Sequence, residues 1–322
     1  MWSFSILRSL ALVFATWPFT VLRLLVMGAV TLACLLSVAV GAGLGWGVGH
    51  VGSADFHAGA TVWGGIAGIV VVSIWVWTLR EYLTYLLTAG HVAAMVMVLD
   101  GRTLPSGRAQ IDFATATVKA RFGEIHLLFV LDQAVKGAVR AVVGLFDWAS
   151  MIAGLPGLQG LIRLIGSILR LSTTFVDEVV LAREIRLATD DPWTTAREGL
   201  VLYAQNAGEI LKNAVWLTIL RWVLTVGLFV VLVGPAGVAV WLVPGAATGW
   251  TLLFALLAAI ALQRALIDPF CIASLMQVYF AAIAGQRPDP VWDARLAEAS
   301  APFRDLVERA RGALRPTAPG GA

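Results

Sequence analysis

Charged side chains at regular spacing inside an apolar segment are the first sign of chemistry in this sequence. Between residues 124 and 147 the chain is largely apolar, but Asp132, Lys136 and Arg140 follow one another every four residues. Residues four apart share one face of an α-helix, so these three form a charged stripe. Because ionisable side chains are costly in hydrocarbon, the stripe predicts a polar interior if this helix enters the membrane.

A second group of charges is the acidic pair Asp177-Glu178, in the segment TTFVDEVVLAR. Adjacent helical residues point about 100° apart, so two neighbouring carboxylates cannot both face lipid comfortably. If the helix is embedded, at least one carboxylate faces protein or water, and the charged stripe supplies basic partners such as Lys136. If the helix is cytoplasmic, both are ordinary surface charges. The sequence leaves these alternatives open.

The apolar segment LQRALIDPFCIASLMQVYF contains a third group, formed by Arg264, Asp268 and Pro269. Asp-Pro occurs three times, at residues 191–192, 268–269 and 289–290. Aspartate suits the N-cap of a helix and proline suits its first turn, so the first and third pairs are predicted to begin helices, and Asp268-Pro269 follows the same pattern. We therefore expect one membrane helix to end here and a second helix to begin at Asp268, near the inner surface. The alternative is that Arg264 and Asp268 face a polar pathway, and both residues stay candidates for it.

The elements that must position these residues are membrane helices. Of the 322 residues, 59% are hydrophobic and only 13% are charged, whereas soluble domains carry roughly a quarter charged residues. Four apolar segments have the roughly 18 or more residues that a helix needs to cross the hydrocarbon core. They are residues 24–49, 59–79, 222–243 and 250–267. We predict an all-α, polytopic membrane protein with four transmembrane helices.

The chain order suggests four segments. Residues 1–99 form a membrane hairpin with an interfacial helix, and residues 100–213 form an amphipathic middle that is interfacial or partly inserted. Residues 214–285 form a second hairpin with an inner-surface helix, and residues 286–322 form a cytoplasmic tail. The number of spans rises to about six if the middle inserts. The segment 82–99 either extends the second span or folds back into the membrane.

Basic residues orient the predicted spans. One arginine stands at the same end of each span, namely Arg23, Arg80, Arg221 and Arg264, while the hairpins 50–58 and 244–249 contain no lysine or arginine. The positive-inside rule then places both termini in the cytoplasm, with these arginines as inner-interface anchors. Arginine far outnumbers lysine and alanine is abundant, which favours a bacterium, and hence its inner membrane.

Several classes of function lack the residues they need. The net charge is only +3 and no basic run is interleaved with aromatic residues, so nucleic acid is not an expected partner. His50, Asp55 and His57 share one hairpin, but their spacing matches no metal motif. Nucleotide-binding and hydrolase motifs are absent from the sequence. We expect no enzyme, no cofactor and no metal, and membrane lipid as the partner.

From about Tyr82 to the tail, the sequence resembles the C-terminal half of the choline transporter-like family. The similar segments are ATVKARFGEIHLLFVL, STTFVDEVVLA, TAREGLVLYAQNAGEILKNAVWLTIL and LIDPFCIASLMQVYF. They cover about two thirds of this chain, while the large extracellular domain and first helices of the family have no counterpart. No motif transfers a binding residue, so choline is not implied. The resemblance implies that parts of 82–190 enter the membrane and line a transport path or pore.

Two functions therefore compete. The first is a transporter- or channel-like protein, expected to be a homo-oligomer because four helices alone enclose little space. The second is a membrane scaffold or regulator that binds lipid or partner proteins through its amphipathic middle. The charged stripe separates them, because a pore shields it from lipid whereas a scaffold exposes it to water.

Overall fold

The computed structural model describes residues 2–122, 135–140, 175–187, 189, 191–241 and 249–313. No β-strand occurs among these residues, and the predicted all-α class is confirmed. The helices of the first part are α1 (Ile6–Ala15), α2 (Trp17–Gly49), α3 (Ala54–Leu99) and α4 (Arg108–Phe122). Those of the second part are α5 (Val176–Leu187), α6 (Pro192–Gln205), α7 (Ala207–Trp241), α8 (Gly249–Leu262), α9 (Asp268–Ala282), α10 (Pro290–Ala299) and α11 (Ala301–Ala313). Residues 135–140 are also helical.

Two of the three Asp-Pro pairs begin helices. Asp191 has extended dihedral angles, and its carboxylate accepts hydrogen bonds from the backbone N–H groups of Trp193 and Thr194. Asp289 caps α10 in the same way, accepting from the N–H of Val291 at 2.8 Å. In both helices proline occupies the first turn, where its missing N–H costs nothing.

The predicted helix break at Asp268-Pro269 is wrong. A π-helical turn, Gln263–Ile267, joins α8 directly to α9, and Asp268 has helical dihedral angles. The N–H of Asp268 donates to the carbonyl oxygen of Gln263, five residues earlier. Proline lacks an N–H, and its ring clashes with the preceding turn of a regular α-helix. We infer that the wider π turn accommodates the proline ring, so the helix continues where the sequence pattern predicts an end.

Four helical stretches are long and apolar enough to cross a membrane, which confirms the predicted number of four. They are Trp17–Gly49, Ala54–Ile74, Ala207–Val238 and Trp250–Ala282. The segment 82–99 continues α3 and does not fold back. Within the described residues, the middle of the chain adds no further stretch of this kind.

The chain divides into two compact units. The first, which we call the membrane unit, comprises Phe19–Leu87 and Trp222–Asp268. The second, which we call the core unit, comprises Met1–Pro18, Thr88–Arg221 and Pro269–Ala322. Helices α2, α3, α7 and α9 contribute residues to both units. The four predicted segments follow chain order and stay a prediction, whereas the units interleave along the chain.

Small residues bring α2 and α3 of the membrane unit into backbone contact. A Cβ atom placed on Gly41 would collide with the carbonyl oxygen of Gly64, and one placed on Gly64 would collide with that of Gly41. One turn further along α2, a Cβ atom placed on Gly45 would collide with the carbonyl oxygen of Ala60. The hydroxyl of Ser37 donates to the carbonyl oxygen of Gly68 at 2.5 Å. Close packing of small residues is the usual way for membrane helices to associate.

The core unit is organised around α6, which packs against α5, α10 and α11. Its largest fully buried side chains include Phe175, Leu200, Tyr203, Ile210, Leu211, Leu275, Tyr279 and Phe303. Helix α11 buries Phe303, Leu306 and Ala310, at the spacing expected for one face of a helix. The core unit therefore has the buried interior of an ordinary globular domain.

Candidate functional site

The structure brings together part of the predicted charged stripe and the predicted acidic pair. Lys136 lies in the helical segment 135–140, and its Nζ atom is 3.4 Å from Oδ2 of Asp177 on α5. The lysine side chain is 36% exposed and the aspartate side chain only 6% exposed. Arg140 is exposed to the surface, and Asp132 lies outside the described residues. Two of the three stripe residues are thus described, and Lys136 is the one paired with Asp177.

Asp177 is only partly satisfied by this ion pair. Its second oxygen, Oδ1, is buried and accepts no hydrogen bond within the described part of the chain. The residue lies in the first turn of α5, where the helix dipole favours a negative charge. Its neighbour Glu178 is half-buried. A buried carboxylate oxygen that accepts no hydrogen bond lowers the stability of the fold. The ion pair with Lys136 by itself therefore does not account for the burial of Asp177.

A second buried acid, Glu184, lies on the same face of α5. It follows Asp177 by seven positions, which on an α-helix is nearly two full turns. Glu184 is 5% exposed, and its Oε1 atom is buried without a hydrogen-bond partner among the described residues. Sequence reasoning missed Glu184, although its seven-residue spacing from Asp177 is a signal that could have revealed it.

The guanidinium of Arg183 is the basic group beside Glu184, and it already has two partners. Arg183 Nη1 donates to the carbonyl oxygen of Thr195 at 2.6 Å, and Nη2 donates to Glu198 Oε2 at 3.0 Å. Both partners lie on α6, so Arg183 fastens α5 to α6. Its side chain is 9% exposed, whereas that of Glu198 is 43% exposed.

Burial dominates the electrostatics of Glu184 and raises the pKa of its carboxyl well above the ordinary value. The positive charge of Arg183 opposes the rise, and the negative charges of Asp191 and Glu198 add to it. Burial also raises the pKa of Tyr203, whose hydroxyl has no hydrogen-bond partner within the described part of the chain. One guanidinium and two further carboxyl groups therefore act on Glu184, and its burial favours the protonated form.

The remaining pathway candidates, Arg264 and Asp268, belong to the membrane unit. Asp268 Oδ1 accepts a hydrogen bond from Nε2 of Gln263 at 3.3 Å, and Gln263 Oε1 accepts one from Thr225 at 3.2 Å. The carbonyl oxygen of Arg264 accepts from Nη1 of Arg23 at 3.4 Å. These contacts surround the π-helical turn, a feature that is frequent at functional sites.

The four predicted interface arginines have different surroundings. Arg23 is 6% exposed, and Arg264 is half-buried. Arg221 lies with its guanidinium 5.5 Å from the ring centroid of Phe175, a cation–π geometry. Arg80 lies on α3, outside the side chains that the structure describes. Their role as anchors at the inner interface stays a prediction.

Three of the four histidines are described, and each contacts a polar or aromatic neighbour. The rings of His50 and His57 are 4.6 Å apart, with Trp46 beside both. His91 is fully buried, and its Nε2 atom lies 2.9 Å from the hydroxyl of Thr16. No group of three or more metal-ligating side chains occurs among the described residues.

Comparison with known proteins adds no relative, since no family model, curated protein or solved structure matches the chain. Its class therefore rests on its own helices. Four apolar stretches of membrane-spanning length, in an all-helical chain, define an all-α polytopic membrane protein.

Proposed function

We propose that this chain is a non-enzymatic, transporter- or channel-like membrane protein whose polar interior lies in the core unit. The observation that carries the proposal is Asp177, a carboxylate that is 6% exposed, paired with Lys136, and left with one buried oxygen unsatisfied. Buried ionisable groups in membrane proteins mark ion and substrate pathways, because a purely structural role rarely repays their desolvation.

The resemblance to the choline transporter-like family supports the same function. It includes the STTFVDEVVLA segment, so the acidic pair Asp177-Glu178 falls within a region that the resemblance assigns to a transport path. The proposal includes distant membership of that family. It also includes the inner membrane of a bacterium, both termini in the cytoplasm, and a homo-oligomer that encloses the space four helices cannot.

A flux measurement tests the transport proposal. Purified protein is reconstituted into liposomes, and ionic conductance in potassium chloride and uptake of labelled choline are measured as two separate probes. We expect flux in at least one assay, reduced tenfold or more by Asp177→Asn and little changed by Glu298→Gln, an exposed residue of α10. Flux that is equal in all three proteins would refute the assignment of Asp177 to a pathway.

The second candidate, a scaffold that binds partner proteins, is favoured by the outer face of the C-terminal helices. Helix α11 buries its apolar side chains and exposes Arg304, Asp305, Glu308, Arg309 and Arg311. Asp293 of α10 forms a two-pronged ion pair with Arg197 of α6, with N–O distances of 2.8 and 2.5 Å. These contacts hold a charged, water-exposed surface in one position, as partner binding requires. If the protein shows no measurable flux in the liposome assays, this charged surface would support the scaffold function.

Orientation is tested by labelling single cysteines in a background without Cys34 and Cys271. Ser53 lies in the hairpin between α2 and α3, and Ala301 begins α11; both are exposed. An impermeant maleimide added to intact cells should label Ser53→Cys and spare Ala301→Cys until the membrane is opened. The reverse pattern would place the termini outside.

A further inference from the structure

We propose that Glu184 is a reversible proton-binding site, and that its ionisation competes with Glu198 for the guanidinium of Arg183. This inference rests on the proposed function in one respect only: if the protein transports a solute, Glu184 is the group that couples transport to protons. The binding of the proton itself requires no transport.

The first argument is the buried oxygen Oε1 of Glu184, which accepts no hydrogen bond within the described residues. The side chain is 5% exposed and its Oε1 atom has no partner within the described residues. A protonated carboxyl needs far less solvation than a carboxylate, so a buried and poorly bonded position selects the protonated form.

The second argument is the distribution of charge around Glu184. Arg183 lies beside it on α5, Asp191 precedes α6, and Glu198 lies on α6. From α9, the hydroxyl of Tyr279 lies within electrostatic range of both Arg183 and Glu184, and donates to the carbonyl oxygen of Gly199 at 3.1 Å. Asp177 shares the face of Glu184 but has Lys136 as its own partner. Among these groups, Arg183 is therefore the only cation that acts on Glu184, and it already forms an ion pair with Glu198.

The consequence is a switch between two charge arrangements. When Glu184 is protonated, Arg183 bonds to Glu198 and the Thr195 carbonyl, as the structure has it. When Glu184 releases its proton to water, its carboxylate needs the same guanidinium. Deprotonation then weakens the contacts of Arg183 with α6, so that pH controls the packing of α5 against α6.

The sign of the stability effect follows from linkage. Folding raises the pKa of Glu184, so the folded state binds more protons than the unfolded state between the two pKa values. Stability contributed by this group therefore falls as pH rises through that window. Glu184→Gln imitates the protonated form, so its stability should lose this dependence and exceed that of the wild type at alkaline pH.

The test uses purified full-length protein and two measurements that need no transport. Infrared difference spectra across a pH jump should show loss of a protonated-carboxyl band in the wild type and in Glu298→Gln, but not in Glu184→Gln. Glu184→Asp should restore a band at a shifted frequency. In thermal unfolding, the melting temperature of Glu184→Gln should depend less on pH than that of either control.

An unchanged carboxyl band in Glu184→Gln, or a pH dependence of unfolding equal to that of the wild type, would overturn the proposal. Repeating the infrared measurement with sodium chloride in place of potassium chloride tests the alternative that a metal cation binds at Glu184. A band that disappears on adding sodium at fixed pH would mean cation binding, and the proton assignment would fail. Flux in a protein that shows no protonated-carboxyl band from Glu184 would support transport and refute the proton site. A protonated-carboxyl band from Glu184 without flux would support the proton site and refute transport.

Discussion

The membrane unit and the core unit place similar apolar side chains in opposite positions. In the membrane unit, Leu44, Trp63 and Val231 are among the large apolar residues on the outer surface, each about 70% exposed. In the core unit, Leu200, Tyr203 and Leu217 are completely buried. The outer surface of the membrane unit suits hydrocarbon as its solvent, whereas the interior of the core unit is filled by large apolar side chains, although its helix α1 keeps an exposed apolar face.

The difference also appears in what holds the helices together. In the membrane unit, glycine permits backbone contact between α2 and α3. In the core unit, large side chains fill the interior, and ion pairs such as Arg183–Glu198 and Arg197–Asp293 fasten the helices. The comparison teaches that helices can be held together either by close backbone fit between small residues or by burial of large side chains and ion pairs.

Gly41→Leu should have the largest effect, because it breaks the contact on which the membrane unit depends. A side chain at Gly41 would collide with the backbone of Gly64, which cannot move without separating α2 from α3. We expect a loss at or above the ~3 kcal/mol upper range for overpacking, seen as little monodisperse protein after detergent extraction. The control is Gly43→Leu on the same helix, where nothing lies within 4 Å of an added Cβ. Equal yields of the two variants would contradict backbone-to-backbone packing.

Helix α1 allows the effects of buried and exposed apolar side chains to be compared in a single helix, because one of its faces is buried and the other is exposed. Leu12 is 3% exposed, whereas Phe14 is 71% exposed in a stripe with Leu7, Leu10 and Trp17. Leu12→Ala should destabilise by about 2–5 kcal/mol, as in ordinary cores, and Phe14→Ala by less than about 0.5 kcal/mol. Thermal unfolding in detergent measures both.

The exposed face of α1 also bears on the predicted interfacial helix. A fluorophore on Phe14→Cys should be quenched by brominated lipid and protected from aqueous iodide. The same label on Asp305→Cys, exposed on α11, should show the opposite behaviour. Iodide quenching of the Phe14 label would mean that this face contacts water and not lipid.

The Lys136–Asp177 pair should have an intermediate effect. Lys136→Ala leaves Asp177 buried and without its cation, at a cost of about 1–3 kcal/mol. Asp177→Ala leaves a lysine that is 36% exposed and can turn to water, so its cost should be smaller. In the double variant the loss should be less than the sum, which chemical or thermal unfolding of all four proteins would reveal. Strict additivity would show that the two charges contribute independently.

The smallest effect should come from Asp268, inside the π-helical junction of the membrane unit. Asp268→Asn keeps an oxygen that accepts from Nε2 of Gln263, so its stability should change little. Asp268→Leu removes that acceptor and should cost about 0.5–1.5 kcal/mol, the usual net value of one hydrogen bond. If Asp268→Asn abolished flux while unfolding was unchanged, Asp268 would belong to a pathway.

Sequence reasoning succeeded where the signal is local. The helix caps at Asp191 and Asp289 depend on two or three neighbouring residues, and both were predicted. The same Asp-Pro pattern gave the wrong result at Asp268, because the chain could relieve the proline clash with a π turn. A proline can be accommodated either at the beginning of a helix or after a π turn within a helix. The local sequence permits both, and the packing of the surrounding helices selects one.

The amino-acid sequence by itself determined that this is a membrane protein. Four apolar stretches long enough to cross hydrocarbon, with few charges, leave helices in a membrane as the only stable arrangement. Tertiary structure decided which charges are buried and with which partners. Lys136 and Asp177 are 41 residues apart in sequence, and the burial of Glu184 depends on the packing of α6 against α5. Burial and pairing depend on which helices meet, and a pattern along one helix cannot specify the surface that packs against it.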